Sequence, residues 1–310
     1  MADNYFMKTG HSLVTESLGH NSTNLVDLSI QRRRKEIISR LEFLPPLPTA
    51  AHEVMSIIAD DPKDIIMLEQ TIRHDPALAS QLLKVANCAL YAPLSVIDTV
   101  QRAIVYLGFS RVRNIALSLS IFGLFKSKKV MKGINQKDFW THAIATATVT
   151  RMLALELYQD NTEVCFTAGL LHDIGRIAIS ACFPEEWADI LKVAEEEDCS
   201  LLIAEHKVGL PHSLIGAWLA KSWGLPEIYE KTIATHHLPI KHPKATQMGA
   251  LVRLADHMCH KIGMGLFSTP SIHRQALIAY LGLSEDVVDE LEEQLVELDG
   301  LATTITDVMG

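Results

Sequence analysis

Gly169-Leu170-Leu171-His172-Asp173-Ile174-Gly175-Arg176-Ile177-Ala178-Ile179 places a histidine and an aspartate side by side in an otherwise apolar segment. An unpaired carboxylate is expensive to bury, so such an aspartate is bonded, paired or metal-bound. Two readings are open here. One is a helix end whose polar pair is satisfied by local hydrogen bonds; the other is a site that draws partners from elsewhere in the chain. The dipeptide alone does not separate them, so the other histidines and acids have to.

Upstream, residues 136–158 read as a helix on which Asp138 and His142, four apart, share a face. Downstream come a helix from about Leu201 to Lys207, one opened by Pro211-His212-Ser213, and one from Pro226 that closes with His236-His237. Asp256 lies on a helix over 251–262 beside Leu251, Val252 and Leu254. The candidates are therefore His142, His172, Asp173, His212, His236, His237 and Asp256, with Asp138 close by. Any one of the histidines could be a satisfied core or surface residue. Together they form a set that suits iron, manganese, zinc or nickel, and a carboxylate among them can bridge two ions. With no cysteine in the set, a structural zinc site is disfavoured. Spacing alone does not show that these helices converge. His206, His242, His257 and His260 match no pattern and carry no expected role.

The first half is punctuated as helices. Leu44-Pro45-Pro46-Leu47-Pro48-Thr49 breaks one helix, and Thr49 can cap the next. Asp61-Pro62 and Asp75-Pro76 repeat a capping Asp followed by Pro at the first helical position. Gly108 ends a further helix, and Ser110 can cap its successor. No alternating, β-branched run stands out, so the expected fold class is all-α.

The chain has 310 residues, enough for one large domain or about two. Its 28 basic and 37 acidic residues are unevenly placed: after Arg274 there are nine acids and no Lys or Arg, so the net charge of −9 is a C-terminal feature. No basic stripe marks a duplex-binding surface. Arg32-Arg33-Arg34-Lys35 is read as the solvated face of a first helix, with an acidic partner or nucleic acid as the alternative. No apolar run approaches the ~20 residues that span a bilayer, the best candidate being Asn114–Phe125, and the N-terminus shows no apolar signal region. Five dispersed cysteines without a CxxC suggest reduced thiols and a cytoplasmic location. Residues 284–298 form an acidic amphipathic helix whose Val287, Val288, Leu291, Leu295 and Leu298 give a docking face.

Residues Leu44–Leu124, with LPPLPT, the two Asp-Pro caps, LLKVANCALY, TVQRAIVYLGFSRVRNIAL and the Ser-rich helix after it, resemble the HDOD (HD-related output domain) family. From His142 onward the order His…His-Asp…His…His-His…Asp is similar to the metal-binding HD superfamily in its HD-GYP-like arrangement. The resemblance implies an all-α signalling module with an N-terminal helical subdomain and an HD-like bundle. Many HDOD proteins have lost the HD ligands, whereas this chain retains them. The resemblance implies one metal ion on His142, His172, Asp173 and Asp256, with Asp173 bridging to a second on His212, His236 and His237. The ions would be iron or manganese, with zinc or nickel as alternatives. Asp138 falls where some HD-GYP enzymes place a Glu that helps hold a third metal. Arg176 replaces the Lys of the HDIGK motif and could neutralise a substrate phosphate. After His236-His237 the chain reads LPIKHPKATQMGA in place of the Gly-Tyr-Pro loop of HD-GYP enzymes, a departure that bears on cyclic dinucleotide hydrolysis.

The expected organisation is a flexible leader (1–28), an N-terminal helical part (29–133), an HD-like metal-binding part (134–265) and an acidic helical extension (266–310). The expected function is that of a bacterial-type signalling protein that binds two metal ions and acts mainly through a signalling protein partner. No receiver, kinase or DNA-binding domain is read in the chain, and neither DNA nor membrane is expected as a partner. The alternative is a metal-dependent phosphohydrolase acting on a nucleotide or cyclic dinucleotide, in which Asp173 and Arg176 would act at the substrate.

Overall fold

Prolines and capping side chains start many of the described helices of the computed structural model. It describes residues 36–37, 39–40, 46–57, 62–88, 91–124, 133–157, 162–265, 272–295 and 306, and among these there is no strand. The all-α reading holds. The chain divides into two compact units, Met1–Leu44 and Pro45–Gly310. In the first, the described residues are helical and Arg40 pairs with Glu36 at 3.9 Å. The leader and Arg32–Lys35 lie outside the described residues.

The second unit opens with α1 (Thr49–Ser56), α2 (Pro62–His74), α3 (Pro76–Ala86), α4 (Val100–Leu107) and α5 (Phe109–Leu124). Asp75 caps α3 as the sequence suggests, accepting from the Ala77 and Leu78 amides at 3.0 Å each. Such a cap contributes about 1 kcal/mol. Thr99 caps α4, and Gly108, at φ 86°, ends it in a region that suits glycine. Two starts differ from the sequence reading. Thr49 is the first helical residue of α1 instead of its cap, and α5 begins at Phe109 without waiting for Ser110. Helix α5 is buried on most of its circumference and packs on α1, α3 and α4. Its Arg113 reaches the end of α1, where Nε donates to the Ile57 carbonyl at 2.9 Å. It thereby satisfies an acceptor beyond the last turn, where a helix has no internal donors left.

The remaining helices are α6 (Gln136–Glu156), α7 (Thr162–Leu171), α8 (Ile174–Cys182), α9 (Pro184–Glu196), α10 (Leu201–Val208), α11 (His212–Ser222), α12 (Glu227–Thr235), α13 (Gln247–Lys261) and α14 (Arg274–Leu281), followed by α15 over 285–295. Helix α6 packs along α7 and α13, α8 crosses α11, and α11 packs on α12. Glycines set two of these approaches. A Cβ on Gly169 would lie 2.7 Å from Ala147 Cα and Thr150 Oγ1 of α6. A Cβ on Gly175 would fall on the His212 carbonyl, and one on Gly216 would lie 3.0 Å from the Gly175 amide. The backbones of α8 and α11 can cross this closely only without side chains there.

Thr162–Cys182 is long and apolar enough to span a bilayer by composition, which corrects the sequence reading that no run approached that length. It is core: 89% of its most apolar window is buried in the fold, and the His172-Asp173 turn interrupts it. On α15, Val288, Leu291 and Leu295 are buried, while Glu292 meets Lys261 of α13 at 2.5 Å and Asp289 meets Arg274 of α14 at 2.5 Å.

Candidate metal centre

Five chain segments deliver the candidate side chains to one place. His142 comes from the middle of α6, and His172 and Asp173 from the turn between α7 and α8. His212 is the first residue of α11, His236 and His237 follow α12, and Asp256 lies on α13. All are buried except His237, which is half-buried.

Each inner histidine is oriented through its Nδ1. His142 Nδ1 pairs with the Met264 carbonyl at 3.0 Å, His172 Nδ1 with Gly169 at 2.7 Å and His236 Nδ1 with Ile233 at 2.8 Å. A carbonyl can only accept, so each Nδ1 carries a proton, and whenever such a ring is neutral its Nε2 turns a lone pair inward. Metal-ligating histidines are commonly oriented in this way.

The Nε2 atoms converge on two carboxylates. Asp173 Oδ1 lies 3.0 Å from His212 and 3.9 Å from His236. Its Oδ2 lies 3.5 Å from His172 and 4.0 Å from His142. Asp256 Oδ1 is 3.2 Å from His142 and 3.9 Å from His172. His212 Nε2 is 3.2 Å from that of His236 and 3.1 Å from that of His237. Donors about 2.1 Å from a shared ion stand about 3–4 Å apart, so these separations are those of ligand sets. His142 Nε2, His172 Nε2 and Asp173 Oδ1 are buried without a hydrogen-bond partner. Leaving such atoms unpaired is costly, and a cation among the facing lone pairs would relieve it. The donor set therefore fits divalent metal. Among the described residues three groups converge: Asp173 with His212, His236 and His237; His142 with His172 and Asp173; and His142 with Asp256 and His260.

The electrostatics agree with a cation-seeking site. Burial would raise the Asp173 pKa, but Arg176, His172 and His212 hold it well below the usual carboxylate value. Asp256 is likewise held low against burial, by His142 and His260. Burial, with His212 and His172 alongside, brings His236 down to about 3. Burial and the neighbouring His236 and His212 push His237 well below the usual value.

Asp138 is not brought in. It is exposed in the first turn of α6, one turn before His142, and belongs to none of the converging groups. Arg176 is buried against protein acids: it donates to Asp173 Oδ2, and its Nε donates to Glu205 Oε1 at 2.9 Å. A phosphate would have to share this guanidinium with Asp173.

Two residues were missed by sequence reasoning. Glu205 on α10 is fully buried and accepts from the His212 ring Nδ1 and, at 3.1 Å, from the His212 amide. An acid on a short helix seven residues before a histidine carried no mark of this. His260 stands 3.3 Å from Asp256 Oδ1, and its signal was its place one turn beyond Asp256 on the same helix.

The HDOD domain model matches residues 44–239, more than half of the chain. Among solved structures, an HDOD domain protein from Geobacter sulfurreducens is 24% identical with a TM-score of 0.75, covering 87% of this chain and 98% of its own. A candidate signal transduction protein from Marinobacter aquaeolei VT8 is 25% identical with a TM-score of 0.74, covering 87% of this chain and 60% of its own. A candidate phosphohydrolase from Shewanella amazonensis SB2B shares the fold at 23% identity and a TM-score of 0.70, covering 88% of this chain and 98% of its own. The chain spans 39% or less of the length of the curated relatives it matches.

Proposed function

The chain belongs to the HDOD domain family, and on that premise we propose that it is a signal-transduction module whose two divalent metal ions tie its bundle together while it acts on a protein partner. The observation that carries this reading is the set of inward-facing, buried and unpartnered donor atoms of His142, His172 and Asp173. Ions held there would join segments far apart in sequence, so loading would change the stability of the fold directly. The likeness to the signal transduction protein of Marinobacter, at 25% identity, supports the same assignment.

A partner surface is available away from the metal site. Asn87 fastens the segment after α3, its Nδ2 donating to the Ile97 carbonyl at 2.7 Å and its Oδ1 accepting from the Ile97 amide at 2.8 Å. That leaves Leu94 exposed beside Val105 and Tyr106 of α4. Contiguous exposed apolar groups commonly mark interaction sites.

The test is metal analysis of anaerobically purified protein with thermal melts of the loaded and metal-free forms. Two iron or manganese ions per chain and a raised melting temperature are expected. No bound metal under any loading condition would remove the reading.

A second reading is a metal-dependent phosphohydrolase acting on a nucleotide or cyclic dinucleotide. It is favoured by Asp173, whose two oxygens address different histidine groups as a bridging carboxylate would. When bound, two ions supply Lewis-acid activation of a phosphodiester and of water. The chain's own part is orientation: Arg176 and His212 hold Asp173 between the groups, and carbonyls fix the imidazole tautomers. Manganese-loaded protein should then cleave a generic phosphodiester, and Asp173→Ala should abolish cleavage. No turnover at full metal occupancy would exclude this reading and leave the signalling one.

A further inference from the structure

His260 closes one end of the histidine cluster. It lies one turn beyond Asp256 on α13, so the two side chains share a face. Its Nε2 is 3.3 Å from Asp256 Oδ1, the oxygen that His142 Nε2 approaches at 3.2 Å. The His142 and His260 rings meet edge to face with centroids 5.2 Å apart. Ligand atoms of His142, Asp256 and His260 all lie within 4.8 Å of one another. The chain after α13 is built around this arrangement. The Met264 carbonyl orients His142, and Gly265 passes so close to the His260 ring that a Cβ there would fall on it. His257, half-buried on the same helix, belongs to none of the converging groups.

We propose that His260 is a fifth protein ligand to the metal ion held by His142, His172, Asp173 and Asp256. This rests on the di-metal reading above and extends it. The two ions then differ: one has five protein donors, and its neighbour has four, from Asp173, His212, His236 and His237. In six-coordinate geometry about one position stays open at the first ion and about two at the second. The first ion is the slower to leave, and the second offers more room to a water or phosphate oxygen. The His260 side chain is 12% exposed, so it sits at the rim of the cluster, where substitution disturbs less of the core.

Cobalt(II) is the probe, loaded anaerobically into the full chain, with His257→Ala as the control. Wild type should take up two ions and release them to a chelator in two phases. His260→Ala should release the slower ion roughly tenfold faster or more, in line with changes around metal ligands. Its cobalt d–d absorption should intensify as the coordination number falls. His260→Glu, which restores a donor of similar reach, should recover the slow phase, and His257→Ala should match wild type. A His260→Ala protein with wild-type release rates and spectrum would overturn ligation by His260 and leave the di-metal reading intact. Wild type that binds no cobalt would overturn both. Faster release that His260→Glu does not rescue, with a lowered melting temperature of the metal-free protein, would assign His260 a packing role and overturn the proposal.

Discussion

Asp173 Oδ1 faces His212 Nε2 at 3.0 Å, and the same two residues are joined from behind through Arg176 and Glu205. Arg176 donates to Asp173 and Glu205, and Glu205 accepts from the His212 ring and amide. The ring fixes a carboxylate and an imidazole in one geometry, Arg176 holding Asp173 through Oδ2 and Glu205 holding His212 through its Nδ1. It also explains how an arginine, a glutamate and an aspartate coexist in the core, because each charge has an opposite partner.

Glu205→Gln should therefore weaken metal binding although Glu205 is in none of the converging groups. Partners that orient a ligand are worth about 10–100-fold in affinity. The loss should fall on the ion proposed for His212, His236 and His237, read as the faster phase of chelator release. Unchanged release of that ion would contradict the positioning role. Removing the charge also leaves Arg176 with less compensation, and breaking a buried pair costs about 3–5 kcal/mol, so a lower denaturation midpoint is expected.

Gly175→Ala should be severely destabilising for its size. The new methyl would fall on the His212 carbonyl where α8 crosses α11. Overpacking of this kind costs about 1–3 kcal/mol, and the shift would move His212 from Asp173. Gly123→Ala is the matched control: it is helical with nothing within 4 Å of the added Cβ, and alanine is favoured over glycine in a helix. Equal melting temperatures for the two variants would refute the close crossing.

The metal-free protein should be most stable near neutral pH. Burial lowers the pKa of His172, His236 and His237, with His236 at about 3. Below the ordinary histidine value of about 6.5 the unfolded chain takes up protons that the folded chain refuses, so stability falls as pH drops. His142 and His212 have the opposite sign. Burial opposes their protons, but Asp256 and Asp173 around His142, and Glu205 and Asp173 around His212, outweigh it and raise both. Their contribution is complete below about 6.5 and is lost as pH rises through the folded values. Melts in chelator from about pH 4.5 to 9 should trace a maximum. A flat or monotonic profile would show that these imidazoles are not buried together.

Thiol labelling should separate the cysteines. Burial lifts Cys165 to about 11 and Cys259 to about 12, whereas Cys88, Cys182 and Cys199 are half-buried. The thiolate is the reactive form. A disulfide reagent at mildly alkaline pH should modify Cys165 and Cys259 only as the chain unfolds, a pattern that peptide mapping reads directly. Rapid labelling of Cys259 in the native protein would mean that α13 is not packed as described.

The sequence by itself determined the helices and most of the candidate donors. Asp75-Pro76 and Gly108 act through local geometry, so their effect on α3 and α4 was readable without knowledge of the fold. His142, His172, Asp173, His212, His236, His237 and Asp256 could be named because each is a titratable residue in an apolar context, and they do converge. Only the tertiary structure decided who meets whom. Asp138 shares α6 with His142, yet its side chain is exposed while the adjacent Phe139 and Trp140 are buried. Glu205 and His260 reach the site from α10 and α13. Helical spacing specifies which side chains share a face, but not which helix that face will meet. The crossings are set by backbone approaches such as Gly175 against His212, between residues far apart in the chain.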